Sequence, residues 1–234
     1  GPWTTIGPDV SIGDGCHISS HVVIKGPSVL GKNNRIYQFS TVGEDTPDLK
    51  YKGEPTRLVI GDNNTIREGV TIHRGTIQDK SETRIGDNNL LMAYAHVGHD
   101  CIVGSNIVMG NNSAIAGHVE LGDWAIISGY SLIHQFVSLG PHSFIGPAAF
   151  VYHDVPAYVT AFGSPAEPRT INREGLKRRD FSIDQIALAN KAYKVLYRRG
   201  LQLDEALKLI AELGDDVVIT MLLQSLERST RGII

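Results

Sequence analysis

A repeat of six residues runs through most of the chain and restricts the folds that it can adopt. Aliphatic residues recur at every sixth position in three runs, over residues 6–42, 60–72 and 85–151. Glycine often follows the aliphatic residue, and a small residue often lies four positions after it. An amphipathic helix has a period of about 3.6 residues and a half-buried strand has a period of about two, so neither explains this pattern. The hexads predict a short strand followed by a corner, repeated along the chain.

The residues at the predicted corners suit tight turns. Glycine accounts for 25 of the 234 residues, which is well above its usual ~7%. Asn-Asn pairs fall at the same places, at positions 33–34, 63–64, 88–89 and 111–112. Glycine and asparagine both tolerate the unusual backbone angles that a corner requires. The sequence therefore predicts a parallel β-helix over residues 1–165.

Proteins with hexapeptide repeats supply the expected dimensions of the coil. In these proteins three hexads form one triangular coil of 18 residues, and the coil is left-handed. We therefore expect an all-β left-handed parallel β-helix. The resemblance alone implies the handedness, because periodicity does not report it.

Two segments interrupt the repeat, and a third follows it. Residues 44–58 and 76–84 lack the pattern and are predicted to be protruding loops, where binding residues tend to lie. Residues 166–234 are predicted to form an α-helical C-terminal domain, and Ser182 and Gln185 form a capping box at its first long helix. Gly200 is expected to end that helix, and two more are expected near residues 204–214 and 216–228.

Composition excludes several classes of protein. The net charge is -3 and 20% of the residues are charged, which does not indicate a nucleic-acid-binding protein. Cys16 and Cys101 occupy inward positions of the repeat and are expected to be core thiols, as in a protein of a reducing compartment. No apolar run reaches the ~18 residues of a membrane span, and no leader is visible. We expect a soluble cytoplasmic protein, preceded by at least one further coil because the chain begins inside a hexad without Met.

Five of the nine histidines lie between positions 73 and 134. In a coil of 18 residues, positions 18 apart stack at about 4.8 Å. His99 then stacks with Gly117, Asp100 stacks with His118, and His134 falls in the neighbouring column. The predicted ridge on one edge of the coil consists of the following side chains: His99, Asp100, His118, His134 and Gln135. If the second loop adds seven residues to its coil, His73 joins the ridge, and His96 lies close by.

Three interpretations fit this ridge. The side chains are solvated polar residues, or ligands of zinc, or they include a general base. Zinc needs about three protein ligands and an open position; the β-helical carbonic anhydrases pair His-x4-His with a third histidine, whereas only two residues separate His96 from His99. A neutral imidazole with a pKa near 6.5 can accept a hydroxyl proton at neutral pH. We favour the general base and expect no metal.

Six segments of the chain resemble one enzyme family in order. They are DLKYKGEPT (48–56), TIHRGT (71–76), AHVGHD (95–100), AGH (116–118), HQF (134–136) and EGLKRR (174–179). Together they resemble the acyl-[acyl-carrier-protein]–UDP-N-acetylglucosamine O-acyltransferases, which carry out the first step of lipid A biosynthesis. Hexads alone occur in many acyltransferases, whereas the combination of six segments is specific. The resemblance implies transfer of a 3-hydroxyacyl chain to the 3-hydroxyl of UDP-N-acetylglucosamine.

The resemblance also implies roles for individual residues. His99 matches the general base, Asp100 matches its orienting partner, and the backbone N–H of Gly117 matches the donor to the oxyanion. The remaining matches are to substrate-binding positions: Asp48, Lys50, His73, His96, His118, His134, Gln135, Asn172, Glu174, Arg178 and Arg179. The last four match a segment that reaches the nucleotide, where arginine suits phosphate.

Two further features modify these expectations. Pro147 occupies the position that limits acyl length in the family, and because proline fills more space than glycine we expect a shorter preferred chain. Lys191, Lys194 and Arg198 lie on one face of the first long helix. That face fits either a solvated surface or a docking surface for an acidic carrier protein.

Partners and cofactors follow from the resemblance. The family implies a homotrimer with active sites between subunits, UDP-N-acetylglucosamine as acceptor, and an acyl donor carried on the phosphopantetheine of acyl carrier protein. We expect no bound cofactor. Two alternatives stay open at this point, namely the related sugar N-acyltransferase of the same pathway and a non-catalytic β-helical scaffold subunit.

Overall fold

The computed structural model describes residues 1–234, and its first two thirds wind into a three-sided coil. The strands, in chain order, are β1 Thr5–Ile6, β2 Val10–Ile12, β3 His17–Ile18, β4 Val23–Ile24, β5 Ser28–Leu30, β6 Arg35–Ile36, β7 Thr41–Glu44, β8 Arg57–Ile60, β9 Thr65–Ile66, β10 Thr71–His73, β11 Glu82–Ile85, β12 Leu90–Leu91, β13 His96–Val97, β14 Ile102–Val103, β15 Val108–Met109, β16 Ala114–Ile115, β17 Glu120–Leu121, β18 Ile126–Ile127, β19 Leu132–Ile133, β20 Ser138–Leu139, β21 Phe144–Ile145, β22 Phe150–Val151, β23 Val159–Phe162 and β24 Glu167–Ile171.

Strands β1 to β23 pair in parallel with strands of the neighbouring coils, which gives three sheets. Sheet A contains β1, β4, β7, β10, β13, β16, β19 and β22. Sheet B contains β2, β5, β8, β11, β14, β17 and β20. Sheet C begins with β3 and β6 and continues in the same way to β21, β23 and β24. His96 pairs with Ala114 in uninterrupted coils, which is the predicted offset of 18.

The chain turns at three edges, which we name A–B, B–C and C–A after the sheets that they join. Residues with left-handed backbone angles stand in register along each edge. Asp100, His118 and Phe136 have φ of 58°, 65° and 65° on the A–B edge. Asn63 and Asn88, with φ of 59° and 58°, turn the B–C edge in the same way. Asparagine is one of the few non-glycine residues that adopts this region readily.

Aliphatic side chains fill the inside of the coil. Ile72, Val97, Ile115 and Ile133 stack in successive coils and are at most 2% exposed. The small residues predicted to point inward are also buried, and Cys101 is fully covered. Burial raises the pKa of the Cys101 thiol to about 12, which keeps it protonated and unreactive. Cys16 lies near the open end of the coil and is only partly buried; both cysteines are free.

Buried asparagines form a ladder inside the B–C edge. Asn34 Oδ1 accepts the backbone N–H of Asn64 at 2.8 Å, and Asn64 Oδ1 accepts that of Asn89 at 2.9 Å. Their side-chain amides donate to backbone carbonyls, as Asn64 does to Gly86 at 2.9 Å. The side-chain oxygens and amides of the ladder therefore all have partners within the coil, as buried amides require.

The loops and the C-terminal segment differ slightly from the predicted boundaries. The first loop spans residues 45–56, because β7 and β8 extend into the predicted loop. The second spans 74–81, because β10 ends at His73 and β11 begins at Glu82. The predicted helical segment 166–234 begins with a strand, because β24 turns back and pairs antiparallel with β23.

Four helices complete the chain: α1 Arg173–Lys177, α2 Ile183–Arg198, α3 Leu203–Ala211 and α4 Val217–Glu227. The predicted capping box at Ser182 and Gln185 is present, and Gly200, with φ of 66°, follows the end of α2. The short helix α1 was not expected from the sequence. No helix has the length and apolar character that crossing a membrane requires.

Candidate active site

The A–B edge collects both loops and most of the histidines. The first loop leaves β7 and enters β8, and the second leaves β10 and enters β11, so both emerge from this edge. Ile72 pairs with Val97, which confirms that the second loop adds seven residues to its coil and places His73 beside Gly98. In the next coils the same edge carries His99, His118 and Gln135. The predicted ridge is therefore present, with both loops at one end of it.

His99 and Asp100 form a hydrogen-bonded pair at the centre of the edge. His99 Nδ1 lies 2.9 Å from Asp100 Oδ2, and the two side chains are 16% and 0% exposed. Since Nδ1 faces the carboxylate, Nε2 is the ring nitrogen left free for a ligand. A carboxylate in this position fixes both the tautomer and the orientation of an imidazole. The pair has the arrangement of a histidine base and its orienting group.

The second loop holds Asp100 in place. The backbone N–H of Thr76 donates to both oxygens of Asp100, at 2.9 and 3.0 Å, and the Thr76 hydroxyl donates to Oδ2 at 2.7 Å. Thr83 Oγ1 accepts the backbone N–H of Asp100 at 2.8 Å. Burial alone would raise the pKa of Asp100, but the hydrogen bonds from His99 and Thr76 outweigh it and hold that pKa below its ordinary value. The carboxylate is therefore ionised at neutral pH.

Gly117 packs against the face of His99 one coil further along. A Cβ atom at Gly117 would lie 2.6 Å from both Cε1 and Nε2 of His99, which is closer than any real contact. The backbone N–H of Gly117 has no hydrogen-bond partner in the chain. Only glycine leaves the space beside Nε2 open, and that space has an unpaired donor next to it.

His118 forms a second histidine–carboxylate pair, with a residue of the second loop. His118 Nδ1 lies 2.7 Å from Asp79 Oδ2. The His118 ring stacks on Phe136 at 4.3 Å between centroids and meets the His99 ring edge to face at 4.9 Å. Three neighbours therefore fix the ring, and its Nε2 is unpaired.

His73 and His96 lie beside this centre on sheet A. Their ring centroids are 5.3 Å apart, and Thr71 Oγ1 is 2.8 Å from His96 Nδ1. Burial, together with the neighbouring His73 and His99, lowers the pKa of His96 to about 4. His96 is therefore neutral at physiological pH and presents a polar but uncharged surface.

Two depressions meet at the edge. The larger is a cleft of about 680 Å³, and its lining includes Asp48, Lys50, His99, His118, Gln135 and Arg228. The smaller is an apolar groove of about 350 Å³ beside sheet A, and it includes His96, His134 and Gln135. Gln135 lines both, so a polar ligand in the cleft and an apolar one in the groove would meet at Gln135, on the edge that also carries His99.

The remaining predicted binding residues lie on a different edge. Asn172 caps α1 and donates from Nδ2 to the carbonyl of His142 at 2.9 Å on the B–C edge. Arg179 Nη1 donates to His142 Nδ1 at 3.0 Å, and its guanidinium lies over the Trp124 ring at 4.9 Å. The two exposed members of this group are Glu174, bonded to Lys177 at 3.1 Å, and Arg178, which makes no side-chain hydrogen bond. Within one chain this group does not join His99.

Pro147 also lies away from the cleft. It follows β21 on the C–A edge and is exposed. Its predicted effect on acyl length stays a prediction, since nothing in a single chain brings it to His99.

The same centre offers ligand atoms for a metal ion. One atom each from His99, Asp100 and His118 lie within 4.8 Å of one another. However, Asp100 already accepts bonds from Thr76, and Asp79 occupies His118 Nδ1. These bonds orient two imidazoles toward the cleft, which suits proton transfer and hydrogen bonding.

The sequence patterns did not identify several residues that lie at the site. Thr76 belongs to one of the six matching segments, and its place there was the available signal. Asp79 lies in a polar loop with no periodic register, so no spacing argument could bring it to His118. Arg228 and Thr230 reach the cleft from the C-terminal tail, where Asp154 accepts the N–H groups of Thr230 and Arg231 at 3.1 and 3.2 Å.

Comparisons with known proteins cover the whole chain. Residues 154–234 match a family model described as UDP-N-acetylglucosamine O-acyltransferase, domain 2, and residues 1–26 and 82–117 match the bacterial transferase hexapeptide model. The chain is 59% identical to the acyl-[acyl-carrier-protein]–UDP-N-acetylglucosamine O-acyltransferase of Stutzerimonas stutzeri, over all of this chain and 91% of that protein. It is 58% identical to the protein of the same name from Pseudomonas entomophila, with the same coverage.

Solved structures of similar proteins have the same fold as this chain. The UDP-N-acetylglucosamine acyltransferase of Francisella novicida is 44% identical and superposes with a TM-score of 0.98, over all of this chain and 86% of that one. LpxA from Acinetobacter baumannii is also 44% identical, with a TM-score of 0.92 over 99% of this chain and 93% of that one. These matches confirm the predicted left-handed parallel β-helix.

Proposed function

The chain belongs to the family of acyl-[acyl-carrier-protein]–UDP-N-acetylglucosamine O-acyltransferases, and from this premise we propose that His99 is the general base of the reaction. The enzyme transfers an acyl chain from acyl carrier protein to UDP-N-acetylglucosamine in the first step of lipid A synthesis. The predicted enzyme class is confirmed by the relatives, which are named as O-acyltransferases; neither the N-acyltransferase nor the scaffold alternative receives support from them.

The single observation that carries the mechanism is the His99–Asp100 pair beside Gly117. His99 Nε2 takes the proton of the sugar 3-hydroxyl as the oxygen attacks the thioester carbonyl. The imidazolium that forms is stabilised by the ionised Asp100. The tetrahedral intermediate then collapses, the carbon–sulfur bond breaks, and the proton passes from His99 to the departing thiolate.

The negatively charged oxygen of the tetrahedral intermediate needs a hydrogen-bond donor to stabilise it. We assign this role to the Gly117 N–H, which is unpaired and lies in the column next to His99. A preorganised backbone donor of this kind contributes roughly 10²–10³ in rate. No metal and no cofactor takes part in the proposed steps; the acyl group arrives on the phosphopantetheine of the carrier protein.

The assembly that we propose is a homotrimer with the site between subunits. Asn172, Glu174, Arg178 and Arg179 lie on the B–C edge of their own chain, and Pro147 lies on the C–A edge. A second copy placed against the A–B edge would bring such residues to the cleft and close its open side, which a ligand site requires. Arg178 is the freer of the two arginines to bind phosphate, since Arg179 is held by His142 and Trp124.

Location and specificity complete the proposal. We place the enzyme in the cytoplasm, in agreement with its two free cysteines. The donor carries a 3-hydroxyacyl chain, and Pro147 favours a shorter one. The exposed Lys191 and Lys194 on α2 are candidates for contact with the acidic carrier protein.

Replacement of His99 by alanine tests the general base. We expect kcat to fall roughly 10²–10⁴-fold, because the proton acceptor is removed, while the melting temperature changes little. The assay uses 3-hydroxyacyl carrier protein and UDP-N-acetylglucosamine, with the product measured by mass spectrometry. Lability of the product to mild base separates an ester from an amide.

The matched control is His17→Ala, since His17 is exposed on β3, far from the A–B edge. It is expected to leave kcat within about twofold of the unmodified enzyme. A His99→Ala enzyme that kept its kcat within threefold would exclude His99 as the base.

A further inference from the structure

Two histidine–carboxylate pairs lie side by side on the A–B edge, and only His99–Asp100 has a role in the mechanism above. In the second pair, Asp79 is part of the loop over residues 74–81, whereas His118 belongs to the coil. The bond between them spans 39 positions in the chain. A contact between residues so far apart in the sequence raises the question of its role in the site.

The surroundings of His118 leave one ring atom for a ligand. Phe136 covers one face, with the two rings 12° from parallel, and His99 meets the ring at 88°. Asp79 takes Nδ1 at 2.7 Å, and the side chain of His118 is 13% exposed. Since His118 lines the cleft, its exposed part includes the unpaired Nε2.

Asp79 is itself held in position. Lys80 Nζ lies 3.5 Å from Asp79 Oδ2 and 3.2 Å from Glu120 Oε1. Glu120 follows His118 by two residues, so Lys80 ties the loop to the strand that leaves the edge. The same loop contributes Thr76 to Asp100. One loop therefore orients the partners of both imidazoles.

We propose that Asp79 is a positioning residue that fixes His118 for binding the sugar nucleotide. In the tautomer whose Nδ1–H donates to Asp79, Nε2 is the acceptor. That acceptor takes a hydrogen bond from a hydroxyl or amide N–H of the acceptor sugar. This inference rests on the proposed function, and it adds the loop residue that sets the binding geometry.

The test begins with two substitutions of Asp79. Asp79→Leu removes the acceptor of the Nδ1 proton and should raise KM for UDP-N-acetylglucosamine about tenfold, as expected for one hydrogen bond to a charged group. The value of kcat should change less than threefold. Asp79→Asn keeps an acceptor oxygen without the charge and should restore KM to within about threefold of the native value.

Glu120→Leu is the matched control, because it removes a carboxylate of the same cleft region and leaves both the Asp79–Lys80 contact and the Asp79–His118 bond in place. If it raises KM as much as Asp79→Leu does, the effect is one of charge and the proposal fails. The double variant Asp79→Leu/His118→Gln extends the test. Asp79→Leu should add less than twofold to the KM of His118→Gln, and a full tenfold addition would show that Asp79 does not act through His118.

A spectroscopic measurement separates this proposal from the general-base proposal. Ring ¹⁵N shifts of His118 in labelled enzyme should report the Nδ1–H tautomer, and Asp79→Leu should abolish that preference. This readout needs no activity, so it stands even if His99→Ala were fully active. An unchanged His118 tautomer in Asp79→Leu would overturn the role of Asp79, whatever the kinetics.

Discussion

The A–B and B–C edges both turn the chain through residues with left-handed backbone angles. They differ in the side chains that they carry inside and outside the coil. On the B–C edge, Asn34, Asn64 and Asn89 point inward and bond to one another's backbones. On the A–B edge, His99 and His118 point outward and find their partners in Asp100 and in a loop. One edge satisfies its polar groups from within the repeat, and the other depends on segments that interrupt the repeat.

This difference separates stability from function in one architecture. Because the Asn ladder and the aliphatic stack close the coil, the histidines of the A–B edge are not needed to hold it together. The edge can therefore carry unpaired nitrogens such as Nε2 of His99, which would be costly inside a core. Substitutions on the two edges should accordingly affect different observables.

Among the substitutions that compare the two edges, the largest effect is expected from Gly117→Ala on the A–B edge. The new Cβ would lie 2.6 Å from His99 Nε2, so the imidazole must move away from its present position, where we propose that it acts as the base. We expect kcat/KM to fall about 10²-fold, in the range for loss of an oriented donor and base. Steady-state kinetics measures it.

Gly7→Ala provides the control, since Gly7 also follows a sheet A strand and its added Cβ would meet atoms no closer than 3.5 Å. Its kcat/KM should stay within twofold. Native kinetics in Gly117→Ala would mean that the space beside His99 is not part of the site.

A smaller effect, on stability, is expected from Asn64→Ala on the B–C edge. The substitution leaves the buried Asn89 N–H and the partly buried Gly86 carbonyl unpaired. The free energy of unfolding should fall by about 2–4 kcal/mol, the cost of two buried unsatisfied groups, while kcat of the folded enzyme stays unchanged. Denaturant unfolding reports the first quantity.

Asn63→Gly is the comparison within the same dipeptide, because Asn63 supplies the left-handed turn, with φ of 59°, and glycine adopts it freely. A change of less than about 0.5 kcal/mol is expected. If Asn63→Gly and Asn64→Ala were equally damaging, the ladder would not be what stabilises this edge.

The smallest effect is a pH dependence at His142, where the tail packs on the B–C edge. Burial, together with the charge of Arg179, lowers the pKa of His142 to about 4. His142 therefore binds a proton near pH 6.5 in the unfolded chain but only near pH 4 in the folded chain. The contribution of His142 to stability is consequently complete above pH 6.5 and is lost as the pH drops toward 4. His142→Gln should reduce that loss by about 1–3 kcal/mol in unfolding curves at pH 7 and pH 4.5.

His17→Gln, at an exposed position, should leave the acid slope as it is. An acid slope that His142→Gln does not reduce would show that His142 is protonated in the folded chain at no cost.

The repeat allowed much of the site to be placed from sequence. Once an 18-residue coil is assumed, His99, Gly117 and Gln135 must share an edge, and the offset from Ile72 to Val97 adds His73. The capping box at Ser182 predicted α2 because its interactions are local. Strand β24 was missed because its pairing with β23 requires the chain to fold back.

The loops could not be treated in this way. A family segment ends at Thr76, but nothing in the order of residues 74–81 indicates that Thr76 bonds to Asp100 or that Asp79 bonds to His118, since neither follows a period. The same holds for the tail, which Asp154 binds through Ser229 Oγ at 2.8 Å. Contacts between a loop and a coil depend on where the whole chain places them.

The order of amino acids alone determined the coil, its corners and the column of imidazoles, because stacking in a β-helix is a repetition of local geometry. Only the tertiary structure decided which nitrogen of each imidazole is free, which carboxylate is ionised, and that Asn172 and Arg179 lie on another edge. Those properties depend on hydrogen bonds and burial between segments far apart in the chain, and no spacing rule contains them.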